Sequence, residues 1–413
     1  MAFLSRCAVI ACLCLLGSDA IAAPRPPNVI VILVDDMGQT DAACYGSRLY
    51  VTPHIDQLAK DGVRFTSGYS ACTVCSPTRA ALLTGKYPAR LHITDWIAGH
   101  DRPKAKLKIP DWQKFLPHAE VTLAEQLKAA GYATASIGKW HLTPGLKSGD
   151  EAYYPEKHGF DLNVGGYARG QPPSYHAPYK IPTLPEGPKG EFLTDREAAE
   201  AVKFIEANKE KPFFLYLPHY AVHTPLGGKP DVIAKYQAKA AKLPDLKQKN
   251  ATYAALVESV DDSLGTIRAA LKRLKLDENT IIVFTSDNGG LIPVTDNSPF
   301  RVGKGFELGA GEGNEGGHVD GDVLLGKPLL VLVEISLELA PVDVVDFCHL
   351  TLLELASKHL KKTRACIEQV LIVRTEAVPL LSGVVRPLFE VLKVGGGRNT
   401  RKAFDQGFEL AHD

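Results

Sequence analysis

The run NVIVILVDD at residues 28–36 limits the possible folds more than any other stretch of the chain. Six apolar residues, nearly all β-branched, follow Asn28 without a polar interruption. A strand with one wet face would alternate, so this one needs both faces covered. Mostly parallel sheets lying under helices provide that cover. The run stops abruptly at Asp35 and Asp36, and adjacent carboxylates at a buried strand end repel each other unless a cation lies between them.

The rest of the chain to about residue 305 alternates helical and strand patterns. Residues 53–61 read as a short helix, with Thr52 as its cap, Pro53 in its first turn and Gly62 at its end. An amphipathic helix is expected at 121–130, closed by Gly131, and a strand at 132–137 leading into Gly138-Lys139-Trp140-His141. A helix at 195–208 precedes a strand at 213–217. Leu256, Val260, Leu264, Ile267, Leu271 and Leu274 recur at helical spacing, which predicts a long half-buried helix over 252–274. A last buried strand, 280–285, ends in Ser286-Asp287-Asn288. This is an α/β pattern: a mostly parallel central sheet flanked by helices.

Such sheets carry their sites at the carboxyl ends of the strands. Four strand ends here deliver chemistry: Asp35 with Asp36, Lys139 with His141, His219 with His223, and Asp287 with Asn288. Carboxylates plus an amide oxygen suit a hard divalent ion such as calcium or magnesium. A lysine can neutralise an oxyanion, and a histidine can exchange protons near neutral pH. Taken singly, Asp36 or Asp287 reads equally well as a cap or turn residue, and His219 as a satisfied core histidine. The segment 145–190, rich in Gly, Pro and Tyr, is expected to face substrate, with Tyr175 and His176 as candidate contacts.

Cys75 opens the run CSPTRAALLTGK. Pro77 suits a first helical turn, and Arg79 falls one turn above Cys75 on the same face. A helix start with a fixed cation beside it is suited to an anion. Cys72 and Cys75 also form a C-x-x-C pair, which is compatible with a redox motif or a disulfide but offers too few ligands for zinc.

Residues 1–23 have the form of a secretory signal, with Arg6, a short apolar stretch and the small-residue cleavage site Ala20-Ile21-Ala22. No later segment has about 20 uninterrupted apolar residues, so no stable membrane span is expected. Five of the eight cysteines lie beyond the signal, too few for a disulfide scaffold. The 47 basic and 47 acidic residues cancel, which argues against a nucleic-acid partner and makes any anion specificity local.

The CSPTR run, the GKWH segment at 138–141, the aspartate pair, the late Asp287-Asn288 and the segment 297–305 (NSPFRVGKG) occur in the order of the type I sulfatases. The chain resembles that formylglycine-dependent (arylsulfatase) family of the alkaline phosphatase-like superfamily over about residues 28–305. The resemblance implies that Cys75 is oxidised to formylglycine by a maturation enzyme. It implies a calcium ion, or magnesium, held by Asp35, Asp36, Asp287, Asn288 and residue 75. Lys139, Lys304 and Arg79 would polarise the sulfate, His223 would protonate the leaving alcohol, and His141 would receive a proton from the second geminal hydroxyl. Arg301 reads as a surface cation. The implied reaction is hydrolysis of an aryl or carbohydrate sulfate by a secreted or periplasmic protein. A phosphate or phosphonate monoester hydrolase of the same fold, or an inactive truncated relative that binds anionic glycans, are the competing readings.

Beyond Lys304 the resemblance stops. All 14 tyrosines and all three tryptophans lie before that point. The expected organisation is a signal at 1–23, a catalytic domain at 24–305 and an atypical region at 306–413, with the family's C-terminal subdomain atypical or missing. A reading frame shifted just after Lys304 would produce this loss of aromatics and motifs together. No element is predicted in the tail, and the sheet is expected to lack edge strands there.

Overall fold

The computed structural model describes residues 25–65, 68–100, 103, 106, 108–145, 149–298 and 303–305, with the backbone of 328–329 and 331–337. The expected signal, Arg301 and most of the tail fall outside the described residues.

β1 (Asn28–Val34) is buried at every position. Ile30, Ile32 and Val34 join one apolar cluster, while Val29, Val31 and Leu33 join a second on the opposite face. That division is why the run carries no polar alternation. Along the chain follow α1 (Pro53–Asp61), β2 (Val63–Arg64), β3 (Gly68–Tyr69), α2 (Cys75–Thr84), α3 (Pro88–Leu91), α4 (Leu123–Ala129), β4 (Ala133–Ile137) and β5 (Leu162–Val164). Next come α5 (Leu193–Ala207), β6 (Phe213–Pro218), α6 (Pro230–Ala241), α7 (Ala251–Arg273), β7 (Asn279–Ser286), β8 (Pro328–Leu329) and β9 (Val331–Leu337).

Seven strands form the main sheet in the order β2-β9-β7-β1-β6-β4-β5. The run from β7 through β1, β6 and β4 to β5 is parallel. Side chains of α1, α5 and α7 fill the first cluster, and those of α2 and α4 fill the second, so helices cover both faces. Among the described residues no helix is long and apolar enough to cross a membrane.

Three expectations need correction. Thr52 does not cap α1; its Oγ1 accepts from Ala43 N at 2.9 Å and donates to Asp56 at 3.1 Å. Asp261 on α7 accepts from His54 N and Ile55 N at 3.2 and 2.8 Å instead, supplying the helix start from a distant element. Segment 145–190 is not simply a loop, because β5 within it pairs with β4. In the tail, β9 runs antiparallel to β7 with Asn279 opposite Leu337 and Thr285 opposite Val331, and β2 pairs beyond it. The sheet therefore has strands on that side.

Candidate active site

β7, β1, β6 and β4 are neighbours, so the four functional strand ends meet. Backbone bonds continue the pairing past the strands: Asp35 N donates to Ala221 O (2.9 Å), Val222 N to Asp35 O (2.8 Å), Asp287 N to Val34 O (3.0 Å) and Lys139 N to Pro218 O (2.7 Å). Gly138 makes the last of these possible. Its φ is +114°, and a Cβ there would lie 2.1 Å from Pro218 O.

α2 starts at Cys75, which is only 3% exposed. One turn on, the buried Arg79 donates Nε and Nη2 to Asp287 Oδ2 at 3.1 and 2.8 Å, and Nη1 to Lys139 O at 3.3 Å. Its Nη2 is also 3.7 Å from Asp35 Oδ1. Lys139 Nζ lies 2.6 Å from Asp35 Oδ2. Lys304 Nζ reaches Asp36 Oδ1 at 2.7 Å and Oδ2 at 2.8 Å, and Asn288 Nδ2 donates to Asp36 Oδ1 at 2.8 Å. Lys304 is delivered by its own N–H on Gly290 O and by Gly305 N on Thr73 O, both at 3.0 Å, while Asn297 ties down Gly290.

Three carboxylates thus face three cations, all buried except Lys304, which is partly exposed. Burial alone would raise the Asp35 carboxyl, but Lys139, and then His223 and Arg79, hold it below the usual carboxylate range. Burial pushes the Cys75 thiol up, with Lys139 and Lys304 opposing. Desolvation works against the Lys304 ammonium, yet Asp36 and its neighbours raise its pKa.

The two site histidines have fixed tautomers. His141 Nε2 bonds to the Ile97 carbonyl, so Nε2 carries the hydrogen and Nδ1, 3.4 Å from Ser76 Oγ, is the free acceptor. Burial first, then Lys139, holds the His141 pKa well below its ordinary value. His223 Nδ1 donates to Thr224 O at 2.6 Å, leaving Nε2 facing Asp36 Oδ2 at 3.6 Å. His219 is a satisfied core histidine, fully buried between Glu197 (2.6 Å) and Ser263 (3.0 Å). Tyr175 is buried, and its hydroxyl faces Tyr220 O and His223 O, both at 2.8 Å, so it supports His223 and is no substrate contact. His176, partly buried, sits between the carbonyls of Gly190 and Gly228. Cys72 and Cys75 form no disulfide.

The donor set fits a hard cation. The ligating atoms of Asp35, Cys75 and Asp287 lie within 4.8 Å of one another, as do those of Asp35, Asp36 and His223. Asp35 Oδ1 and Asn288 Oδ1 are buried without a hydrogen-bond partner, and a buried oxygen in that state is costly unless something binds it.

Sequence reasoning missed the supports. Ser76 donates to His141 O (3.0 Å) and accepts from Ile97 N (3.1 Å). Asp41, fully buried, accepts from Gly38 N (2.8 Å), Tyr253 OH (2.6 Å) and Thr295 Oγ1 (2.5 Å), and Tyr253 OH is 3.2 Å from Asp36 O. Ser76 lies inside the motif and could have been found there; nothing local marks Asp41 or Tyr253.

Fold and site together define an α/β protein with a mostly parallel sheet, whose strand ends gather carboxylates, lysines and histidines around the cysteine that begins α2. Residues 27–315 match the family model described as Sulfatase, and the chain belongs to the sulfatase family. It is 33% identical over 317 residues to N-acetylgalactosamine-6-sulfatase of Rattus norvegicus, a match covering 70% of this chain and 56% of that protein. To steryl-sulfatase of Mus musculus it is 31% identical over 395 residues, covering 78% and 60%. Among solved structures, that of Ps i-CgsB in complex with k-i-k-neocarrahexaose superposes with a TM-score of 0.58 at 30% identity, covering 75% of this chain and 66% of that one. The chain thus spans somewhat over half the length of these curated relatives.

Proposed function

We propose that this chain hydrolyses sulfate esters, of an aryl alcohol or a carbohydrate, using a formylglycine formed from Cys75. In this reading residues 1–23 direct export to the periplasm or the medium, 24–305 form the catalytic domain, and 306–413 are an atypical region of shifted reading frame. The observation that carries the reading is the meeting of the ligating atoms of Asp35, Cys75 and Asp287 within 4.8 Å, beside two buried oxygens that lack partners. A redox cysteine would need a stabilised thiolate, whereas burial here pushes the Cys75 thiol up.

Asp35, Asp36, Asp287 and Asn288, with residue 75, would hold a calcium ion, magnesium being the smaller alternative, which supplies Lewis-acid polarisation of a sulfate oxygen. Residue 75, once converted to hydrated formylglycine, would supply one hydroxyl as the nucleophile toward sulfur and a second whose deprotonation would release sulfate. Lys139 and Lys304 approach the carboxylates from two different elements, and in this reading their ammonium groups would polarise the sulfate oxygens. Arg79 is spent on Asp287 and Asp35, so its role is to hold those carboxylates in position. His223 offers Nε2 to the departing alcohol oxygen, its ring fixed by the Nδ1 bond to Thr224 O. His141, kept neutral, offers Nδ1 to the proton leaving the second hydroxyl of residue 75.

The sulfatase relatives named above support a sulfate ester as the group hydrolysed, and the solved relative with a bound neocarrahexaose supports an oligosaccharide as one form of substrate. The test is the protein produced with a formylglycine-generating enzyme. Mass spectrometry of the tryptic peptide containing residue 75 should show the loss of mass that converts cysteine to formylglycine. Hydrolysis of 4-nitrophenyl sulfate should exceed that of the matching phosphate and vanish in Cys75→Ala. An unmodified Cys75 in an active protein, or a faster phosphatase reaction, would refute the proposal.

A further inference from the structure

The rim of the site carries one feature that the proposed chemistry does not use. His141 is flanked by two loops. On one side Ile97 O accepts its Nε2 hydrogen. On the other, His141 N donates to Tyr167 O at 3.1 Å, and Gly170 packs against the ring so closely that a Cβ would fall 2.4 Å from His141 Cε1. Tyr167 and Ala168 are buried, at 1% and 6% exposure, whereas Arg169 is exposed. Arg169 Cα is about 3.8 Å along the chain from that of Gly170, so its long side chain starts within reach of the site mouth. Among the described residues its guanidinium has no ion pair or hydrogen bond, while Arg79, Lys139 and Lys304 are all committed to Asp35, Asp36 and Asp287.

The opposite loop brings an aromatic surface. Asp95 closes that turn by accepting from Trp96 N (2.8 Å), His100 N (2.9 Å) and the His100 ring (2.7 Å). Trp96, next to Ile97 and partly exposed, meets the His100 ring edge-on with centroids 5.7 Å apart. A half-exposed indole and an exposed arginine, carried by the two loops that touch His141, suit a sugar ring that bears its own anion.

We infer that Arg169 is a specificity-determining residue that binds a second anionic group, a carboxylate or another sulfate, on the sugar adjoining the ester being cleaved. This rests on the sulfatase reading above and narrows its substrate class to polyanionic glycans. The guanidinium fork would take the two oxygens of that group in parallel, as it does a carboxylate.

The experiment compares kcat/KM on a monosulfated, otherwise neutral probe, 4-nitrophenyl sulfate, with that on two dianionic probes. One is a sulfated disaccharide containing a uronate, and the other is a disulfated monosaccharide. The measured quantity is the ratio of dianionic to neutral kcat/KM. Arg169→Ala should lower the ratio at least tenfold for one or both dianionic probes, through KM. Arg169→Lys should restore part of it, and Arg169→Glu should lower it further. The probe that responds identifies the anion. An unchanged ratio in Arg169→Ala, with wild type active on all probes, would overturn this inference alone. A wild-type protein inactive on every probe would overturn the sulfatase reading and this inference with it.

Discussion

Removing the Arg79 side chain is the most demanding test of the centre. In Arg79→Met the volume is roughly kept, but Asp287 loses two donated hydrogen bonds, at 3.1 and 2.8 Å, and Asp35 loses a cation 3.7 Å away. The local balance of Arg79, Lys139 and Lys304 against Asp35, Asp36 and Asp287 becomes two cations against three carboxylates. All of Arg79, Asp35 and Asp287 are fully buried. Breaking a buried pair by deleting one partner costs about 3–5 kcal/mol. That is a large share of a total stability of about 5–15 kcal/mol. With a urea slope of about 3 kcal/mol/M the unfolding midpoint should fall by roughly 1–2 M. The excess negative charge should also make the site more receptive to a divalent ion, so millimolar calcium should raise the variant's midpoint more than the wild type's. Arg79→Lys should fall between the two, because an ammonium cannot reproduce the Nε and Nη2 pair. A loss in Arg79→Met below about 1 kcal/mol, or an equal calcium response in both proteins, would refute the picture of a charge-balanced buried centre.

Three further outcomes are expected. Gly138→Ala should destabilise by more than about 3 kcal/mol and abolish activity, because its Cβ meets Pro218 O. Gly145→Ala, also at positive φ but with open space around it, should lose only about 1 kcal/mol in the same melts. His158 is buried with neither ring nitrogen bonded, and burial lowers its pKa to about 4. Its neutral form is favoured in the fold, so it contributes stability that is present above about pH 6.5 and lost as pH falls towards about 4; His158→Phe should flatten that limb of a Tm-versus-pH curve, and an unchanged limb would count against it. Tyr253→Phe removes the hydroxyl on Asp41 and beside Asp36 O, and should lower stability by about 1–2 kcal/mol and reduce kcat, as read by denaturation and steady-state kinetics.

The sheet was legible because its strands are apolar on both faces and short helical repeats separate them. β1, β4, β6 and β7 fall within one or two residues of expectation, and the four polar strand ends meet as the rule for parallel sheets requires. What escaped was whatever depends on distant partners. Thr52 looked like a cap, but Asp261 arrives from α7 to take the helix N–H groups. Arg79 looked like a residue that serves the anion alone, yet its guanidinium is bonded to Asp287, which arrives at the end of β7, 208 residues later. Tyr175 looked exposed in a Gly/Pro-rich segment and is buried under His223. β9 gave no local signal because a run of leucines and valines without caps fits a strand and a buried helix equally well.

The position of β1 has a consequence for how the chain is made. Its two partners, β6 and β7, begin at Phe213 and Asn279, so the first strand synthesised waits for both of its neighbours. At roughly 5–20 residues per second, the roughly 180 residues made before β6 leave NVIVILV without a neighbour for about ten to forty seconds. A naked apolar strand of high β-propensity is an aggregation hazard over that interval. Asp35 and Asp36, which later face the cations of the finished site, stand at its end as charged gatekeepers while it waits.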